Sequence, residues 1–391
     1  MRRTAAVVAV LVLTACSGDL VVTAGASSRL TDPTSSTTAP STTSPSTTTS
    51  AAPTPTTTTS SSTTTTSSTM TTSSTSVGAM LEPAWYPQLG AAVADLSAGN
   101  ASVSVSVRRV GVEPFDMALG VRNDGAPADS STPFVLASVS KLLTAVAVAR
   151  LVEDARITED DPVPWSAMGI AHDPAWDSVT VRELIDHTGG MPVNQRSWLD
   201  DPSPCSVPLE EALAGPPTGT RGTWRYSNGN YCALGLLVEH LSGLTMGDAV
   251  SELVLAPAGV LDGPYLARDD ERPTAAPYPR GVARLLRLGG AGEWLASSSD
   301  VADVVAAITP TDRAVVRYPG LMVDQYGWGH TGTLDGAKTC AWVIDADRTV
   351  VVALVAGERP GTGGGVCDRL LPALAADLGL PALGKPVRFP I

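Results

Sequence analysis

Residues 136–151, LASVSKLLTAVAVARL, are apolar or small on every side of a helical projection after the first turn. A helix with no polar face belongs in a protein interior. Lys141 interrupts the pattern near its start, although lysine is almost never buried without a partner. Ser138 precedes it by three residues, on the same helical face. Elsewhere the periods are distinct. Residues 84–96 have mixed helical spacing, and ASVSVSVRRVG at 101–111 alternates strictly, with Val103, Val105 and Val107 on one face of a strand. DMALGVRN at 116–123 reads as its antiparallel partner. In VTVRELIDHTGG, Val181, Leu184 and Ile185 share a helical face that Gly189 and Gly190 bring to an end.

After a Pro/Gly-rich stretch, SNGNYCALGLLVEHLSG at 227–243 predicts a helix. Tyr231, Leu234, Leu237, Val238 and Leu241 fall on its buried side, with Cys232, Leu236 and Glu239 opposite. SSSDVADVVAAI at 297–308 starts a helix at a Ser or Asp cap. Strands follow near 327–332, at 337–346 and at 349–357, the last two joined by a turn at 345–348, and 367–379 predicts a terminal helix. Strands at both ends with helices between them give an α+β layout: an antiparallel β-sheet from N- and C-terminal segments, flanked by helices, with an inserted helical lobe.

Composition adds a compartment. The formal net charge is −13, and no basic stripe offsets it, so a nucleic-acid partner is not expected. Arg2 and Arg3 precede an apolar run at 5–13, too short to span a bilayer but suited to a signal-peptide core. That run ends in Leu13-Thr14-Ala15-Cys16, which resembles a bacterial lipobox. The resemblance implies a signal peptide at 1–15, lipid on Cys16, and a lipoprotein held outside the cytoplasm on the cell membrane. Residues 26–76 are nearly all Ser, Thr, Pro and Ala. They bury too little apolar surface to order the chain, so 16–78 reads as a disordered, lipid-anchored linker. Such a stalk reaches roughly 40 Å as a coil and on the order of 150 Å when stretched. The folded domain then covers 79–391.

With Cys16 assigned to lipid, Cys205, Cys232, Cys340 and Cys367 are left in an oxidising location. Three pairings are open; Cys205–Cys232 and Cys340–Cys367 each close a short loop and are the expected ones, with four free buried thiols as the alternative. Neither C-x-x-C nor H-E-x-x-H occurs, so no metal or cofactor is implied.

Ser138 and Lys141 form a Ser-x-x-Lys pair at the exposed working end of the apolar helix. Confinement lowers a lysine's pKa, and a serine needs a neighbouring base to become a nucleophile. Ser140 does not face Lys141 and is the poorer candidate. Tyr226-Ser227-Asn228 follows in a polar turn leading into a helix, and His330-Thr331-Gly332 enters a strand near the C-terminus. The three motifs, in this order and spacing, resemble the serine penicillin-recognising superfamily. The closest resemblance is to the branch of class C β-lactamases, D-alanyl-D-alanine carboxypeptidases and related esterases. TVRELIDHTGGMP and GGAGEWLASSSDVADVV look like two further segments of that family. His187-Thr188-Gly189 repeats the letters of the third motif but ends a helix, and is read as structural.

The resemblance implies a β-lactamase/transpeptidase-like fold and an acyl-enzyme. Ser138 attacks, Lys141 and Tyr226 share the acid–base work without a fixed order, and Asn228 orients a substrate amide. His330 and Thr331 line the strand side, where they could meet a substrate carboxylate. Gly332 lets the strand approach the substrate, and the backbone N–H groups of Ser138 and Thr333 form the oxyanion hole. A Ser-His-Asp hydrolase is disfavoured: there are four histidines, no Gly-x-Ser-x-Gly and no doubly wound pattern. Histidine in the third motif leans toward peptidase-type or esterase-type members. A cell-wall D-amino-acid peptide, an ester or a β-lactam is the expected partner of a monomeric enzyme. A β-lactamase and a non-catalytic penicillin-binding sensor are the alternatives.

Overall fold

The computed structural model describes residues 85–100, 102–193, 202–261, 263–266, 275–279, 281–317, 321–323, 327–357 and 365–381. The expected signal peptide, Cys16 and the linker at 16–78 lie outside the described residues. No helix among the described residues is long and apolar enough to cross a membrane.

The strands in chain order are β1 Ser102–Arg108, β2 Phe115–Gly120, β3 Phe134–Val135, β4 Tyr265–Leu266, β5 Trp294–Ala296, β6 Met322–Val323, β7 Gly327–Leu334, β8 Ala337–Ile344 and β9 Thr349–Ala356. The helices are α1 Pro87–Ser97, α2 Ser140–Glu153, α3 Val181–Ile185, α4 Ser206–Leu213, α5 Asn228–Ser242, α6 Met246–Val250, α7 Ser298–Ala307, α8 Pro310–Val315 and α9 Val366–Asp377. The main sheet has the order β2-β1-β9-β8-β7-β6, with every pairing antiparallel. The last long strand thus lies beside the first, and helices α2 to α8 are inserted between them in sequence.

Helices cover both faces of the sheet. On one face, Val103, Val105 and Val107 of β1 share a core with Leu89 and Val93 of α1 and Leu370, Leu371 and Leu374 of α9. Each such buried side chain is worth about 1.5–3 kcal/mol. The Asp377 carboxylate of α9 accepts the N–H groups of Gln88 and Leu89 at 3.0 and 2.8 Å, capping α1 from the other end of the domain. The other face of β1 is also buried. There Ser104 and Ser106 reach the Ser298 hydroxyl of α7 at 2.7 and 2.8 Å. Strict Val/Ser alternation suggests one wet face; these hydroxyls are dry because they satisfy one another.

A second sheet, β3-β5-β4, has strands too short to leave a period in the sequence. It matters because β3 runs directly into the Ser138 turn. The disulfides join Cys205 to Cys232 and Cys340 to Cys367. The first explains a difference in α5, where Cys232 is as buried as Leu234 and Leu237. Helix α4 begins right after Cys205 and covers the side of α5 that the periodicity leaves outward.

Candidate active site

Ser138 lies in a single 3-10 turn, Ala137–Val139, that leads into α2. The Leu136 N–H donates to the Trp294 carbonyl of β5 at 2.9 Å. Ala137 has φ of 48°, a left-handed conformation that costs an L-residue about 1–2 kcal/mol. The turn is held from the sheet side as well: the Thr339 hydroxyl of β8 donates to the Leu136 carbonyl at 2.8 Å. Gly332 of β7 crosses so close that a Cβ there would meet the Leu136 carbonyl at 2.8 Å and the Ala137 Cβ at 2.9 Å. The close approach of Gly332 is therefore to the turn that carries Ser138. Ser140 is fully buried, and its hydroxyl accepts the Trp294 N–H at 3.3 Å.

Lys141 is not exposed, as the position at the end of a helix suggested; 1% of its surface reaches solvent. Its Nζ is 2.8 Å from the Asn228 Oδ1, 2.8 Å from the Ala291 carbonyl and 3.2 Å from the Ser138 Oγ. Burial drives its pKa well below the ordinary lysine value. A neutral amine has two hydrogens and one lone pair. In that form the two hydrogens would go to the two oxygens at 2.8 Å and the lone pair would face the Ser138 hydroxyl. The Ala291 carbonyl is delivered by a short turn, Gly289–Ala291, lodged against α2 and α5. A Cβ on Gly290 would meet the Tyr231 carbonyl at 2.6 Å.

Tyr226 and Asn228 flank Ser227, whose hydroxyl caps α5 by accepting the Gly229 N–H at 3.2 Å. The Tyr226 hydroxyl donates to the Ser138 Oγ at 2.9 Å. Burial pushes the Tyr226 pKa up to about 12, against the lowering effect of Ser138, so the phenol keeps its proton. The Lys141 Nζ also sits 5.0 Å from the Tyr226 ring centre. Lys141 and Tyr226 therefore converge on the Ser138 hydroxyl, and Asn228 reaches it through Lys141.

The strand-side residues are arranged differently. The His330 Nδ1 lies 2.6 Å from the Thr331 carbonyl, so Nδ1 carries the proton and Nε2 is a lone-pair acceptor. Its ring is 2% exposed, and Nε2 has no hydrogen-bond partner among the described residues. Burial first, and Lys141 second, push its pKa down to about 3. At neutral pH His330 is therefore uncharged, and any carboxylate it met would meet a neutral ring. The Thr331 hydroxyl donates to the Met322 sulfur at 3.5 Å. Thr333 follows Gly332 on β7 and is exposed beside the Ser138 turn.

The beta-lactamase family model matches residues 89–376. The chain belongs to the beta-lactamase family. Among curated members and relatives, it is 29% identical to penicillin-binding protein 4* of Bacillus subtilis over 144 residues, which are 34% of this chain and 31% of that one. It is 31% identical to esterase EstB of Burkholderia gladioli over 189 residues, 44% of this chain and 47% of the other. The chain thus spans about a third to a half of the length of the curated relatives it matches. A D-stereospecific amidohydrolase from Streptomyces sp. shares the fold with a TM-score of 0.59 at 21% identity, over 74% of this chain and 98% of its own.

Within this beta-lactamase-family site, two contributions were silent in the motifs. The Ala291 carbonyl is a backbone group, announced only by the Gly289-Gly290 pair that lets its turn pack closely. His187 reads as a helix end, yet its ring centre lies 4.6 Å from that of Tyr226. Helix α3 does not stop at Gly189-Gly190. Its C-cap is Asp186, and His187 takes the left-handed conformation next, with φ of 57°.

Proposed function

We propose that this chain is an exported, lipid-anchored serine hydrolase that acts as a monomer through an acyl-enzyme on Ser138. The observation that carries the reading is the geometry at Lys141: its Nζ lies 2.8 Å from two carbonyl oxygens and 3.2 Å from the Ser138 Oγ, so an amine that has lost its third proton would turn its lone pair to the serine. Lys141 takes the Ser138 proton as Oγ bonds to the substrate carbonyl carbon. The N–H groups of Ser138 and Thr333 hold the developing oxyanion, each such donor typically worth about 3 kcal/mol of barrier. The tetrahedral adduct expels the alcohol or amine, which takes a proton from the Tyr226 hydroxyl while Lys141 returns one to Tyr226. Water then repeats the sequence on the acyl-enzyme, with Lys141 as base, and Ser138 regains its proton as the acid departs.

The uncharged, buried His330 supports ester substrates over D-alanyl-D-alanine termini and β-lactams, both of which carry a carboxylate. The 31% identity to an esterase supports the same choice. The test compares wild type and Ser138→Ala for labelling by a fluorophosphonate and a fluorescent penicillin. Turnover of p-nitrophenyl butyrate, an acyl-D-alanyl-D-alanine peptide and nitrocefin is measured beside it. Labelling is expected only in wild type, with the ester turned over fastest. Label retained by Ser138→Ala removes the nucleophile assignment; nitrocefin hydrolysed as fast as the ester transfers the reading to a β-lactamase. Mass spectrometry of protein from bacterial membranes checks the anchor, and an unmodified Cys16 refutes it.

A further inference from the structure

His187 occupies the left-handed position after α3, where glycine or asparagine is the usual solution. An imidazole kept there costs about 1–2 kcal/mol of backbone strain, and only 1% of it is exposed. Its contacts show what it does. The His187 carbonyl accepts the Arg225 N–H at 2.8 Å. Its Nδ1 accepts the Ser227 N–H at a long 3.4 Å and faces the Asn230 Nδ2 at 2.8 Å. A backbone N–H can only donate, so Nδ1 is an acceptor and the proton sits on Nε2. Residues 225 and 227 are the two neighbours of Tyr226. The ring itself lies against Tyr226, with centres 4.6 Å apart, and against Tyr231 at 5.2 Å.

We propose that His187 is a positioning residue for the reaction, fixing the Tyr226 phenol on Ser138 by gripping the chain on both sides of Tyr226 and bracing its ring. It acts through Tyr226, whose hydroxyl stands 2.9 Å from the Ser138 Oγ. Burial, with Lys141 and His330 nearby, lowers the His187 pKa well below the ordinary histidine value. The neutral form is the one the geometry needs, since a protonated Nδ1 would point a hydrogen at two donors. The backbone around it is paired separately: Gly222 N–H donates to the Thr188 carbonyl at 2.9 Å and Gly219 N–H to the Gly190 carbonyl at 3.0 Å. Loss of the imidazole therefore leaves most of the local scaffold in place. The inference rests on the Ser138 acyl-enzyme reading.

The test is turnover of p-nitrophenyl butyrate per Ser138 site titrated with fluorophosphonate, in His187→Asn, His187→Gln and His187→Ala. Asparagine accepts the left-handed conformation and can place an oxygen near the Nδ1 position; glutamine places its oxygen farther out. His187→Ala and His187→Gln are expected to lose about 10²-fold in kcat, as for a misplacement of about 1 Å, with KM within about twofold. His187→Asn is expected to stay within about tenfold of wild type. A per-site kcat within twofold of wild type in His187→Ala, or equal rates for the Gln and Asn variants, overturns the proposal. Where those variants fail to fold, Asn230→Ala, which removes one donor to Nδ1, serves instead. A smaller fall in kcat is expected from it, and an unchanged kcat overturns the proposal. Activity retained by Ser138→Ala would sink the acyl-enzyme reading instead, so the two failures are distinguishable.

Discussion

Gly332→Ala puts one methyl group between two strands and the turn that carries Ser138. The added Cβ would lie 2.2 Å from the Thr339 Oγ1, 2.8 Å from the Leu136 carbonyl oxygen and 2.9 Å from the Ala137 Cβ. Heavy-atom contacts involving carbon settle near 3.5 Å, so the two contacts on the turn are short by about 0.6–0.7 Å. Thr339 can rotate away only by giving up its 2.8 Å hydrogen bond to the Leu136 carbonyl. Overpacking of this kind costs about 1–3 kcal/mol, and the lost hydrogen bond adds about 1 kcal/mol. The expected destabilisation is therefore about 2–4 kcal/mol by urea unfolding. Relief comes by moving β7 away from the Ser138 turn, which carries Thr333 off its line. Per-site kcat/KM should fall about 10-fold to 10²-fold. Adding Thr339→Ala removes the shortest clash and leaves the two on the turn, so the rate should stay low. Gly332→Ala with stability within about 0.5 kcal/mol and a wild-type rate would refute the claim that this crossing sets the site.

The remaining predictions concern protons and disulfides. Lys141 works unprotonated, so kcat/KM should rise with pH through its lowered pKa and then level off. Tyr226 keeps its proton up to about 12, so the plateau should hold across the mildly alkaline range. A descending limb there would refute the phenol as proton donor. The two disulfides span the same 27-residue separation, for which chain entropy assigns each about 3.5 kcal/mol. The double alanine variants of Cys205 with Cys232 and of Cys340 with Cys367 should lose similar stability in denaturant titrations. Per-site kcat should fall only in the first, because Cys232 lies one turn beyond Asn228 and a Cβ on Gly289 would meet the Cys205 sulfur at 2.4 Å. Equal kcat losses in the two would show that the effect is not local.

The sequence carried the fold where periodicity was strong. Helix α2 was legible because it is apolar all round, and β8 and β9 because long apolar strands flank a turn. The Ser-x-x-Lys spacing put two groups on one face, and Tyr226-Ser227-Asn228 showed a polar turn entering a helix. What escaped has physical reasons. Strands β3, β4 and β5 are too short to have a period. Ala137 and His187 have positive φ without the glycine that normally signals it. The acceptor at Ala291 is a backbone carbonyl, on which its side chain has no bearing. The charge of His330 is decided by burial, and the letters His330-Thr331-Gly332 say nothing of that.

The Val/Ser alternation of β1 has a consequence for how the chain avoids mispairing. Strand β1 joins the beginning of the domain to its end, since it lies between β2 and β9. Such a long-range pairing must find one register among several of similar hydrophobicity. A slip by one residue turns every side chain to the opposite face. Valines would then meet the Ser298 hydroxyl, and Ser102, Ser104 and Ser106 would enter the aliphatic layer beneath α1 and α9. Each stranded hydroxyl costs about 1–3 kcal/mol, a penalty comparable with a large share of a domain's net stability. The three serines thus act as a checksum: they add little to the correct pairing and exclude the neighbouring ones.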